Sequence, residues 1–193
     1  MCITRRSDNV FVLNESPAIV HEIVIAELKL AADASPLKRA RLCLHRADTD
    51  LVHEMLIVLS QKVFIRPHRH LNKAESFLLL EGEASVLFFD DEGEVVREEH
   101  LGRDSSRPFI YHIRNPVYHT QLVWSEYLVF YECTQGPFLR EATQFPHWAP
   151  AEGSAEATAY LNRLRDRCTR LPPAGSRTTG SAHGTAAKND TNY

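Results

Sequence analysis

No run of about 18 apolar residues occurs in the 193-residue sequence, so no helix is expected to span a membrane. The first 14 residues carry Arg5 and Arg6 but no apolar segment of signal-peptide length, which predicts a cytoplasmic protein. Cysteine is scarce. Cys2, Cys43, Cys133 and Cys168 stand far apart with no CxxC spacing, which excludes a disulfide scaffold and gives no support to a thiolate zinc site. Neither sign of charge is in excess: the formal net charge is -3 and the pI about 6.4. A globally basic nucleic-acid binder is therefore excluded, and neither nucleic acid nor membrane is an expected partner. Internal repeats are absent as well.

What is present suits a globular chain: 44% hydrophobic and 24% charged residues, enough to bury a core in one domain. Four parts follow one another. Residues 1–49 read as a helical and basic segment that packs on the rest. Ser16-Pro17 is a helix start, and Ile19, Ile23, Ala26 and Leu30 recur at spacings of three and four, which predicts a helix over 17–32 with that face buried. Lys38, Arg39, Arg41, His45 and Arg46 form a cationic group after it.

Residues 50–134 hold about eight short runs rich in Val, Ile, Leu, Phe and Tyr, among them 63–65, 84–89 and 120–124. Turn residues such as Glu81-Gly82-Glu83 separate them, which predicts an all-β antiparallel sandwich or barrel. The run 84–89 is apolar on nearly every residue, so both its faces need cover, from the N-terminal helix or from a second subunit. A homodimer is the expectation that follows. Residues 135–170 read as a wrap with aromatic plugs at Phe138, Phe145 and Trp148, then a short helix carrying Tyr160, Leu161 and Leu164. Residues 171–193 have almost no large apolar side chain and read as a disordered tail, with no role for His183.

The informative segment is Arg66-Pro67-His68-Arg69-His70-Leu71-Asn72-Lys73-Ala74-Glu75. Residues two apart on a strand share a face, so His68 and His70 present two imidazoles to one side. Glu75 opens the next strand, directed back to the same spot. Two imidazoles and a carboxylate make a facial site for a divalent transition metal with coordination positions left open. A fourth ligand has to come from a distant strand, with His119 the first candidate and His112 the competitor. The ligand types admit Fe, Mn, Zn or Ni.

The pattern His68-x-His70, four residues, Glu75, six residues, Gly82 is similar to the first signature motif of the cupin superfamily, and Arg114 to His119 falls where its second motif would stand. Pro67 to Glu75, Phe88 to Gly93, Tyr118-His119-Thr120, Gly136-Pro137-Phe138 and Trp148 to Gly153 further resemble the WbuC-type family of cupin-fold metalloproteins, over about residues 17–165. That resemblance implies a jelly-roll barrel with one metal on His68, His70, Glu75 and His119. It also implies a link to O-antigen and other surface-polysaccharide genes. The sequence departs from the motifs at Lys62, Arg114, Pro116 and Val123.

If Glu75 faces inward, so do Phe77 and Leu79, and if His119 does, so does Gln121. Gln121, Lys73 and Tyr118 are the candidate catalytic residues. Arg66, Lys73, Arg39, Arg41 and His45 are candidates for binding a phosphate or carboxylate on a small-molecule ligand such as a phosphorylated or nucleotide-linked sugar. Two functions fit these residues: a metal-dependent enzyme (isomerase, epimerase, lyase or iron dioxygenase), or a non-catalytic binding or regulatory module.

Overall fold

The computed structural model describes residues 2–170; the tail expected over 171–193, with His183, lies outside the described residues. In chain order the elements are β1 (Ile3–Ser7), β2 (Val10–Leu13), α1 (Glu22–Ala34), β3 (Arg39–Cys43), β4 (Val52–Ser60) and β5 (Arg69–His70). Next come β6 (Glu75–Glu81), β7 (Ala84–Phe89), β8 (Val95–Leu101), β9 (Ile110–Ile113) and β10 (Tyr118–Val123). The last are β11 (Tyr127–Gln135), β12 (Thr143–Gln144) and α2 (Ala155–Arg170). A seven-stranded sheet has the order β1-β2-β3-β4-β11-β6-β9, and a three-stranded sheet the order β10-β7-β8. The short β5 and β12 pair with each other. The fold is thus mostly β with two helices, as the strand pattern requires.

Alternation divides each central strand between two environments. On β4 and β11, Leu59, Leu128 and Phe130 turn inward with Phe77 and Leu79 of β6. There they meet Ala84 and Val86 of β7 and Val123 of β10, so the two sheets pack face to face. The other faces of β4 and β11 turn Leu56, Val58 and Val129 toward α1. The run 63–65 forms no strand, yet Val63 is buried in the core and the Ile65 carbonyl accepts a hydrogen bond from Thr120 Oγ1 at 2.5 Å.

Both helices correct an expectation. The buried stripe of α1 is Val24, Leu28 and Ala32, packed on Leu42, Val58 and Val129. Ile19, Ile23 and Leu30 are exposed at 59, 63 and 72%. The segment carries two apolar stripes, and the sheet takes the one whose residues recur every four positions along the helix. The second correction concerns β7. Its outer side chains Leu87 and Phe89 are covered by Leu161, Leu164 and Cys168 of α2. The cover therefore comes from the C-terminal helix, and β7 by itself supplies no reason for a second subunit. The four cysteines are free thiols.

Gly82 turns the chain between β6 and β7 with φ +93°, a conformation that side chains disfavour, and a Cβ there would lie 2.2 Å from the Tyr127 carbonyl oxygen. The glycine of the sequence motif thus serves the hairpin.

Candidate metal centre

His68 and His119 lie opposite each other on adjacent backbone segments. Their backbones exchange two hydrogen bonds, at 3.1 and 2.9 Å, and their rings sit 4.6 Å apart. His70, two residues on, is held by the β5–β12 pair, where it stands opposite Thr143. The chain then turns through Asn72, whose φ of 57° is a left-handed value that Asn tolerates well. The Leu71 N–H donates to the Ala142 carbonyl at 2.7 Å and anchors that turn. Glu75 follows as the first residue of β6, between Thr134 of β11 and Ile113 of β9.

The side chains converge. One ring nitrogen each of His68, His70 and His119 lies within 4.8 Å of the others. Glu75 reaches into the same space, 2.8 Å from His119 Nε2 and 3.2 Å from His70 Nε2. The remaining ring nitrogens are all anchored. His68 Nδ1 donates to the Arg66 carbonyl at 2.9 Å and His119 Nδ1 to the Val117 carbonyl at 3.0 Å, while His70 Nδ1 pairs with Thr143 Oγ1 at 3.1 Å. Such outer hydrogen bonds fix ring orientation and leave Nε2 facing the centre.

Burial sets the charges here. It pushes the His68 pKa down to about 3, with help from the neighbouring His119 and His70, so this imidazole is neutral. Burial also opposes charge on His119 and Glu75, but their mutual hydrogen bond wins. The His119 pKa is raised, and Glu75, which also accepts from His70, is held well below the usual carboxylate range. Three imidazoles and one ionised carboxylate, each already oriented, fit the donor preferences of a divalent transition metal. His112 lies elsewhere: it is exposed on β9 and pairs through Nδ1 with Ser76 Oγ at 2.9 Å.

A cavity of about 680 Å³ opens beside the cluster. His119, Gln121, Glu75 and Lys73 line it, as do Arg39, Arg41, His45 and Arg66. Gln121 Nε2 donates to the Tyr111 hydroxyl at 2.7 Å, which fixes the amide. Tyr118 is turned away from the cavity. It follows the alternation to the opposite face of β10, where it meets Trp148 at 5.7 Å and the Arg69 guanidinium at 4.4 Å.

Two of the expected substrate cations are already engaged. Arg39 makes two bonds of 2.9 Å to Glu152. Arg66 donates to the carbonyls of Ala149 and Pro146, both at 3.2 Å, and lies 4.8 Å over the Phe145 ring. Both therefore tie the 145–152 segment to the sheet. His45 stacks on His53 at 4.0 Å, and its Nδ1 faces the Glu54 carbonyl at 3.1 Å.

Sequence reasoning missed Glu132, Arg140 and Thr143. Glu132 lines the cavity from β11, and burial together with the charge of Glu75 pushes its pKa up to about 7. The signal was available: a carboxylate that shares the inward alternation with Leu128 and Phe130 is costly unless it has a task. Thr143 and Arg140 come from a segment with no pattern of its own.

A family model described as a domain of unknown function (DUF6016) matches residues 20–101. No curated protein matches the chain. Among solved structures, a protein of Shewanella oneidensis is similar at 15% identity with a TM-score of 0.45, over 54% of this chain and 72% of that one. The oxalate decarboxylase of Bacillus subtilis, with its Mn(II) centers, is similar at 17% identity with a TM-score of 0.39, over 50% of this chain and 24% of that one. An oxalate oxidase in complex with the substrate analogue glycolate is similar at 13% identity with a TM-score of 0.42, over 58% of this chain and 57% of that one. The chain spans less than two thirds of the length of these last two.

Proposed function

We propose that the protein is a cupin-type metalloenzyme. His68, His70 and His119, each through Nε2, and Glu75 hold one divalent transition metal, drawn from Fe, Mn, Zn or Ni. The substrate is a small sugar-like molecule in the adjoining cavity. One observation carries this reading: three imidazoles with anchored outer nitrogens gather within 4.8 Å of one another around an ionised carboxylate. The resemblance of the motifs to WbuC-type cupins supports the sugar-like class.

When bound, the metal supplies Lewis acidity toward a carbonyl or hydroxyl oxygen. The chain's own residues do the rest. Gln121, fixed by Tyr111, orients a polar group of the substrate. Glu132, a carboxyl group on the cavity wall near Glu75, holds or takes up a proton. Leu59 and Phe130 wall the cavity with apolar surface and exclude water.

Metal analysis of protein purified without chelators or nickel affinity resin is the first test, with one metal per chain expected. The metal-loaded protein is then assayed against a panel of sugars and nucleotide sugars, with turnover expected to fall at least about 100-fold in Gln121→Ala while metal content holds. A chain that takes up no metal sinks the reading. Tight binding without turnover across the panel would instead make it a binding module.

A further inference from the structure

Six basic side chains line the cavity: Arg6, Arg39, Arg41, Arg66, Lys73 and Arg140. Three of them are engaged. Arg6 pairs with Asp48 at 3.0 Å, Arg39 with Glu152, and Arg66 with two backbone carbonyls. Arg41, Lys73 and Arg140 make no ion pair among the described residues. They come from three separate elements: β3, the turn before β6, and the segment before β12. Of the acids lining the cavity, Asp48 pairs with Arg6, Glu152 with Arg39, and Glu75 lies among the histidines; Glu132 is close enough to Lys73 and Arg41 for both charges to favour its ionised form.

We propose that Arg41, Lys73 and Arg140 form an anion subsite in this cavity and that its ligand is a phosphate monoester of a small molecule. This rests on the reading of the cavity as a substrate site, and it names the chemical class. Three unpaired cations against one carboxylate leave two positive charges over, which matches a phosphate dianion rather than a single carboxylate. A guanidinium presents paired N–H donors that suit phosphate oxygens, and Lys73 adds a point charge.

Distance supports the assignment. Across the sheet Glu75 stands on β6 and Arg41 on β3, with β11 and β4 between them. The register sets Glu75 opposite Thr134 but Arg41 opposite Ile57, level with Phe130, so the two backbones are separated by about 14 Å across the strands and about 14 Å along them. Arg41 lines the same cavity from its far side. A phosphate docked at Arg41 and Lys73 would thus hold the other end of the molecule toward His119 and Gln121.

The test uses the full chain stripped with a chelator, so that it does not depend on the metal. Inorganic phosphate is titrated by calorimetry at constant ionic strength, with acetate as the carboxylate comparison. Saturable phosphate binding is expected, weakened at least about tenfold in both Arg41→Met and Lys73→Met and unchanged in Arg97→Met, whose arginine lies on β8 outside the cavity. Circular dichroism of each variant checks that it is folded. Phosphate binding that is indifferent to both substitutions overturns the subsite, as does acetate binding as tight as phosphate. Absence of saturable phosphate binding in the wild-type chain also overturns it. Loss of metal uptake in the unstripped protein, by contrast, bears on the metal centre alone.

Discussion

Oε1 of Glu75 lies 2.8 Å from Nε2 of His119, while Nδ1 of the same ring lies 3.0 Å from the Val117 carbonyl oxygen. Both nitrogens of His119 therefore face acceptors, which favours the protonated ring and raises its pKa against the effect of burial. A metal at Nε2 competes with that proton, so binding is expected to release protons and to strengthen as pH rises through the elevated His119 pKa. Zinc or manganese titrated by calorimetry in two buffers of different ionisation enthalpy reads the proton directly. An affinity that does not change with pH, with no proton released, would contradict this arrangement.

The two histidines that compete for the fourth position are on different sheets, His119 on β10 and His112 on β9. His119 is 2% exposed and touches Glu75, whereas His112 pairs with Ser76 away from the cavity. His119→Ala is expected to weaken metal binding by about 10- to 100-fold or more, and His112→Ala to leave it unchanged. Elemental analysis after dialysis against a defined metal distinguishes them. If His112→Ala lost the metal instead, the ligand set would be wrong.

These residues were legible to different degrees. His68, His70 and Glu75 could be placed together because strand alternation and a short turn are local, and six intervening residues then lead to a glycine the hairpin needs. The same alternation would have excluded Tyr118, since it adjoins His119 and must face the other way. The buried side of α1 was not legible. Periodicity reveals a helix, but two apolar stripes compete, and only the position of Leu42 and Val58 on the sheet decides between them. β3 was hidden because Arg39 and Arg41 read as a charge cluster. Their partners Ala40 and Leu42 are the buried half of a strand whose other face looks into the cavity. The segment 145–152 over the cavity depends on pairs about 80 to 113 residues apart, which no local pattern records.

That segment gives the next expectation. Glu152 holds Arg39 in a two-pronged pair, and each side chain is less than a third exposed, at 26 and 30%. Glu152→Gln is expected to cost about 1–2 kcal/mol of folding stability, much of it from leaving Arg39 without its counter-charge. Chemical denaturation measures this. A double-mutant cycle with Arg39→Met should recover a coupling of similar size, and a coupling near zero would mean the pair holds nothing in place.

Removing the cover of β7 should be more costly. Leu161 and Leu164 are 9 and 8% exposed and pack over Leu87 and Phe89. Leu161→Ala is expected to destabilise the protein by about 2–4 kcal/mol. Thermal unfolding followed by circular dichroism is sufficient to detect it. A negligible change would show that α2 is not the cover β7 requires.

Glu132 is a carboxyl group that the fold keeps at a disadvantage. Burial and the charge of Glu75 raise its pKa to about 7, with Lys73 and Arg41 only partly opposing them. Its folded pKa therefore exceeds the unfolded value. Between about pH 4.5 and about pH 7 the folded state binds the proton more tightly than the unfolded chain, so stability falls as pH rises through that window and levels off above it. The penalty on the metal-stripped protein approaches about 3 kcal/mol at pH 8 and is under about 1 kcal/mol at pH 5. Glu132→Gln cannot ionise and escapes it. Urea denaturation of both proteins at pH 5 and pH 8 should show the variant gaining about 2 kcal/mol on the wild type between the two conditions. Stabilities that move in parallel would mean that the carboxyl group is solvated and titrates normally, and it could then not serve as the cavity's proton carrier near neutral pH.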